Sequence, residues 1–133
     1  MDTVEKSWYD QLLLALEDRY PAENSSPMAK VRARNQRLPI YALSALGNAL
    51  AQARGWPLKG MDAVDFAIIR KYSWFLPQVQ ALPPASKWLA LHEDLLSLPI
   101  DQAAIEAWGV KNPEPVEVDL LGWVVNPSGL PPA

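Results

Sequence analysis

The sequence predicts an all-α fold: a compact bundle of five to six short helices, followed by an extended or small β-like C-terminal arm. Three observations carry that expectation. Half of the 133 residues are apolar and 20% are charged, a balance that supports one packed core. In runs rich in Leu and Ala, apolar residues recur at three- and four-residue spacings, the period of a helix with one buried face. Thirteen prolines fall mostly between those runs or at their starts, where a missing N–H is tolerated. The chain accordingly divides into a helical domain, 1–111, and a Pro-rich extended arm, 112–133.

The first helix is expected from Val4 to Arg19, with Trp8, Tyr9, Leu12, Leu13 and Leu16 on one face and Leu14 on the polar side. Pro21 stops it. Ser26-Pro27 reads as an N-cap and first helical residue, opening a second helix to Arg37. A third, Ile40 to Arg54, carries the stripe Ala42, Leu43, Leu46, Ala49, Leu50 and Ala53 opposite Ser44, Asn48 and Gln52. Gly55 is its C-terminal cap. A fourth, Ala63 to Tyr72, is capped by Asp62 with Asp65 in the first turn. Being apolar almost all round, it belongs in the middle of the bundle.

Pro84 to Leu96 forms a fifth helix, with Trp88, Leu91, Leu95 and Leu96 inward and Lys87, Glu93 and Asp94 toward water. Ser97 opens a sixth, Pro99 to Trp108, stopped by Gly109. Gln78 to Leu82 is too short to assign. In the arm, Val116 to Leu120 alternates and Leu121 to Val125 is β-prone. Such an arm packs over the bundle, pairs with itself as a hairpin, or finds a strand in a partner.

The absent chemistries narrow the function. With no cysteine and one histidine, the chain lacks a disulfide framework, a zinc knuckle, an iron–sulfur site and a thiol nucleophile. Its six glycines are scattered, so no phosphate-cradling loop is present. The acid pairs Asp62/Asp65 and Glu117/Asp119 match a helix first turn and a half-exposed strand. No metal and no cofactor are expected. The longest apolar run, Leu12 to Leu16, is far too short to span a membrane, and Met1 to Asp10 does not resemble a signal peptide. The expected location is the cytoplasm.

Charge is unevenly distributed. Residues 1–29 hold two basic and six acidic side chains, net −4; residues 30–71 hold eight and two, net +6; residues 72–133 hold two and seven, net −5. Lys30, Arg32, Arg34 and Arg37 form the densest basic stretch, with Arg54, Lys59, Arg70 and Lys71 expected to add to it in space. Of six tryptophans, Trp8, Trp88 and Trp108 fit apolar helix faces, whereas Trp56, Trp74 and Trp123 fall in or near connectors, where an amphipathic ring can anchor an interface.

The leading functional expectation is a small non-enzymatic binding protein that works through a protein–protein interface or by self-association. Its interface candidates are Trp123, Val118, Leu120, Val125, Trp74 and Trp56. A second reading is nucleic-acid binding, with Lys30, Arg32, Arg34 and Arg37 meeting phosphates. A third is a small hydrolase in which His92 acts as base with a carboxylate from another helix. The residue's place on an apolar helix face favours a buried, neutral, structural imidazole.

Overall fold

The structure, a computed structural model, describes residues 2–95, 98 and 100–111. These form seven helices: α1 (Asp2–Arg19), α2 (Pro27–Arg54), α3 (Gly60–Tyr72), α4 (Leu76–Gln80), α5 (Pro84–Ala90), α6 (His92–Leu95) and α7 (Gln102–Lys111). The expected five or six helices with a β-like arm are therefore corrected. Among the described residues the fold is an all-α bundle of seven helices, without any strand. Residues 112–133, where the arm was expected, lie outside the described residues.

The bundle is built around the second half of α2, whose residues Tyr41 to Gly47 are all buried. α3 lies along α2, α1 packs on α2 and α7, and α5 and α6 close the remaining side. Tyr9, Leu13 and Leu16 from α1 meet Tyr41, Leu43 and Leu46 from α2 and Trp108 from α7 in one core. Leu14, on the polar side as expected, is exposed. The Tyr41 ring lies 5.9 Å from Tyr9 and 5.0 Å from Trp108. Its hydroxyl donates to the Ala104 carbonyl. Burial pushes that hydroxyl well above its ordinary pKa, so it stays a donor.

The most consequential difference from the sequence reading is α2 itself. Two helices were expected, broken near Pro39; one helix of 28 residues runs through that proline. Ser26 caps it as predicted, its side chain accepting from the Ala29 N–H at 3.2 Å. Gly55, in the left-handed region at φ 72°, ends it. Pro39 cannot donate to the Asn35 carbonyl, but Asn35 is exposed and water can take that acceptor. Burial of Leu38 and Tyr41 to Leu46 on either side of the break outweighs the lost bond. Replacing Pro39 with alanine is expected to raise stability by about 1–3 kcal/mol, read as a higher midpoint in urea unfolding. An unchanged or lower midpoint would show that the missing bond at Pro39 costs the fold nothing.

α2 and α3 approach closely where Gly47 meets Gly60. A Cβ on Gly47 would lie 2.9 Å from the Gly60 carbonyl carbon and 3.0 Å from Val64 Cγ2. Asn48, expected on a solvent face, instead joins three elements. Its Oδ1 accepts from the Gly60 N–H at 2.6 Å, and its Nδ2 donates to the Tyr9 hydroxyl at 3.0 Å. Ser44, placed on the same polar face, is buried. The N-cap of α3 is Lys59, without a side-chain cap bond, so Asp62 is an acid of the first turn and not the cap.

Asp65 and Lys87 correct two further expectations. Both are buried, and Lys87 Nζ donates to Asp65 Oδ1 at 2.8 Å, tying α5 to α3. The expected helix from Pro84 to Leu96 breaks at Leu91, whose backbone leaves helical geometry at φ −116°, ψ 16°. The side chains of Leu91 and Leu95 are both buried in the result. α7 begins after Asp101, whose side chain accepts from the Ala103 N–H at 3.0 Å, and passes through Gly109 to Lys111.

Candidate interaction surface

The basic stretch at the start of α2 is divided between the fold and an open face. Arg37 Nε donates to the Tyr20 carbonyl at 2.9 Å, securing the end of α1. Arg34 is half-buried and engaged. Arg32 lies 3.7 Å from Glu23, both well exposed, and Lys30 is exposed. The four cations predicted to meet phosphate thus divide into two that face solvent and two that turn inward. The other four do not extend this patch. Arg54 follows Arg37 by 17 residues on the same helix, about 25 Å along its axis, and Lys59 lies over the Trp8 ring at 5.8 Å.

Arg54, Arg70 and Lys71 gather instead around Trp56 and Asp94. They line a cleft of about 280 Å³ between α2, α3 and α6, floored by Leu50, Ala67 and Leu91. Asp94 holds Arg54 Nη2 at 3.4 Å and Lys71 Nζ at 3.1 Å. That hydrogen bond raises the Lys71 pKa above its ordinary value. Trp56, half-buried, meets Phe66 edge-on at 4.9 Å and lies under the guanidiniums of Arg54 and Arg70 at 5.9 and 6.0 Å. This interface candidate is therefore a wall of the cleft, not a projecting anchor.

Trp74 is the projecting one. Tyr72, Trp74, Phe75 and Leu76 are all exposed, Phe75 by 76%, and Leu89 of α5 is exposed by 58%. The segment is held in shape. Tyr72 and Trp74 stack with centroids 5.0 Å apart, although Ser73 between them takes the left-handed region at φ 58°. The Tyr72 hydroxyl donates to the Ala90 carbonyl at 2.7 Å, a group freed by the break at Leu91. Gln78 accepts from the Phe75 N–H at 3.1 Å, and buried Val79 fixes α4 to the core. These residues make a rigid aromatic hook beside the basic end of α3. Sequence reading identified Trp74 but missed Phe75, Leu76 and Leu89; four apolar residues around a proline gave the only signal. Trp123, Val118, Leu120 and Val125 lie outside the described residues.

His92, expected as a buried imidazole, is half-buried and lies 5.4 Å from the Trp88 ring. It lines neither the cleft at Trp56 nor the larger groove of about 700 Å³ bounded by Trp8, Asn48, Gln52, Lys59 and Asp101. Among the described residues no three His, Asp or Glu side chains gather as a metal site, and no helix is long and apolar enough to cross a membrane. No family model, no curated protein and no solved structure matches the chain.

Proposed function

We propose that this is a binding protein that associates with further copies of itself through the hook at Tyr72–Leu76. The observation that carries this reading is the concentration of exposed aromatic and aliphatic side chains on a segment held by a ring stack, a hydroxyl bond and a buried anchor. Ordering such residues in advance lowers the entropy cost of association, and aromatic anchors dominate interface energetics.

Charge favours a second copy as the occupant. The hook follows Arg70 and Lys71, at the end of the basic block. Elsewhere on the molecule α1 and α7, packed against each other, expose Leu14 with Asp18 and Val110 with Glu106, an acidic and aliphatic complement. A hook on one copy meeting α1 and α7 of the next is a head-to-tail contact, which closes as a ring or continues as a filament.

Light scattering over a range of concentrations tests it. The mass is expected to rise with concentration, and both W74A/F75A and L14E/V110E should be monomeric. Mixed together, each variant retains the surface that the other has lost, so the mixture should form a dimer. A chain monomeric at every concentration, or a mixture that stays monomeric, would overturn the reading.

A further inference from the structure

The cleft at Trp56 has a charge that the fold does not consume. Three cations, Arg54, Arg70 and Lys71, line the cleft with one carboxylate, Asp94, while Glu93 acts on Lys71 from outside the lining. Arg70 pairs with no carboxylate among the described residues. Its guanidinium lies over the rings of Trp56 and Phe66 at 6.0 and 5.8 Å, which limits the positions it samples. We propose that this cleft binds a small phosphate monoester.

The geometry supplies the argument. Asp94 already holds Arg54 and Lys71 at 3.4 and 3.1 Å, so two of the three donors are set around an oxyanion. The cations of the lining outnumber its one carboxylate, and although Glu93 acts on Lys71 from outside the lining, the balance stays positive and suits an anion. Guanidinium forks also suit the several oxygens of a phosphoryl group. Leu50 and Leu91, almost fully buried, back the site with a low-dielectric wall, which strengthens attraction at the mouth. A volume of about 280 Å³ admits a phosphoryl group with a short organic stem. Asp94 is then a tethered competitor: its carboxylate occupies donors that the ligand needs and repels the incoming anion.

That role gives two substitutions opposite signs. Titration calorimetry with inorganic phosphate and with glycerol 2-phosphate, against acetate at matched ionic strength, is the measurement. Both phosphates are expected to bind saturably, and acetate about tenfold more weakly or worse, the loss expected for one charge-assisted hydrogen bond. Arg70→Gln should weaken phosphate binding about tenfold on the same basis. Asp94→Asn should tighten it, an outcome that a merely structural Asp94 would not give. Binding of glycerol 2-phosphate should fall as pH is lowered through about 6, where the dianion takes up a proton. W74A/F75A should bind phosphate normally, which separates this site from self-association. Circular dichroism checks that each variant is folded. Absence of saturable phosphate binding, indifference to Arg70→Gln, or weaker binding in Asp94→Asn would overturn the proposal. So would a duplex oligonucleotide that binds more tightly than either phosphate and loses affinity in Arg70→Gln, which would assign the cations to nucleic acid.

Discussion

Replacing Lys87 with alanine is expected to lower stability by about 3–5 kcal/mol and the melting temperature by about 10–20 °C. The side chains of Lys87 and Asp65 are 6% and 8% exposed and 2.8 Å apart. Removing one partner leaves the other charged in a site that water barely reaches. Asp65→Ala should cost a similar amount for the same reason. The double variant Lys87→Met with Asp65→Leu is expected to recover most of the loss, because both desolvation penalties disappear and the volume is filled. Thermal melts of the three variants give the answer. Losses below 1 kcal/mol in both single variants would mean that water reaches the pair and that α5 is held by packing alone.

Gly47→Ala is the second large effect. The added methyl would clash with the Gly60 carbonyl and with Val64, and the obstacle is largely backbone, which has no rotamer to change. α2 and α3 would have to separate, loosening the Asn48 bonds to Gly60 and Tyr9 as they did so. A cost of about 3 kcal/mol or more is expected, at the upper end of overpacking. Gly60→Ala meets Trp8 ring atoms at 2.9 and 3.0 Å and holds a left-handed φ of 57°, so it should also destabilise the bundle. Denaturant unfolding measures both. A Gly47→Ala protein as stable as the parent would show that the two helices are not locked at this crossing.

The helical class was legible because period, caps and prolines act locally. Ser26, Pro27 and Gly55 stand where a cap, a first residue and a left-handed end were expected. The misses share a different cause, since each turns on a neighbour distant in sequence. Pro39 reads as a break, and only the buried flanks of α2 carry the helix through it. Lys87 and Asp65 look like solvent residues when each is read alone; together they can be buried. Asn48 occupies the polar face of its own helix, and that face is where α1 and the start of α3 arrive. Leu91 favours a helix, but α5 ends there with Leu91 and Leu95 both buried in the core, and a carbonyl is freed for Tyr72.

The candidate surface follows the same division. Trp74 stood out as a large ring near a connector, which composition alone reveals. The exposure of Phe75, Leu76 and Leu89 beside it depends on how α3, α4 and α5 meet. Lys30, Arg32, Arg34 and Arg37 were legible as a charge run, but the inward turn of Arg37 depends on where α1 ends. The grouping of Arg54, Arg70 and Lys71 with Asp94 spans 40 residues of chain, beyond the reach of any local pattern.

The pairing of α1 with α7 has a consequence for the order in which the molecule assembles. α2 and α3 are separated by a short connector and can close on each other early, at small loop-closure cost. α1 has its principal neighbour about 90 residues further along, in α7. During synthesis from the ribosome, Tyr9 therefore emerges well before Trp108, and the apolar face of α1 is expected to have only its contact with α2 until α7 follows. The expected consequence is an interval in which α2 and α3 are paired and one aromatic layer is still open, the interval in which a chaperone would find the chain.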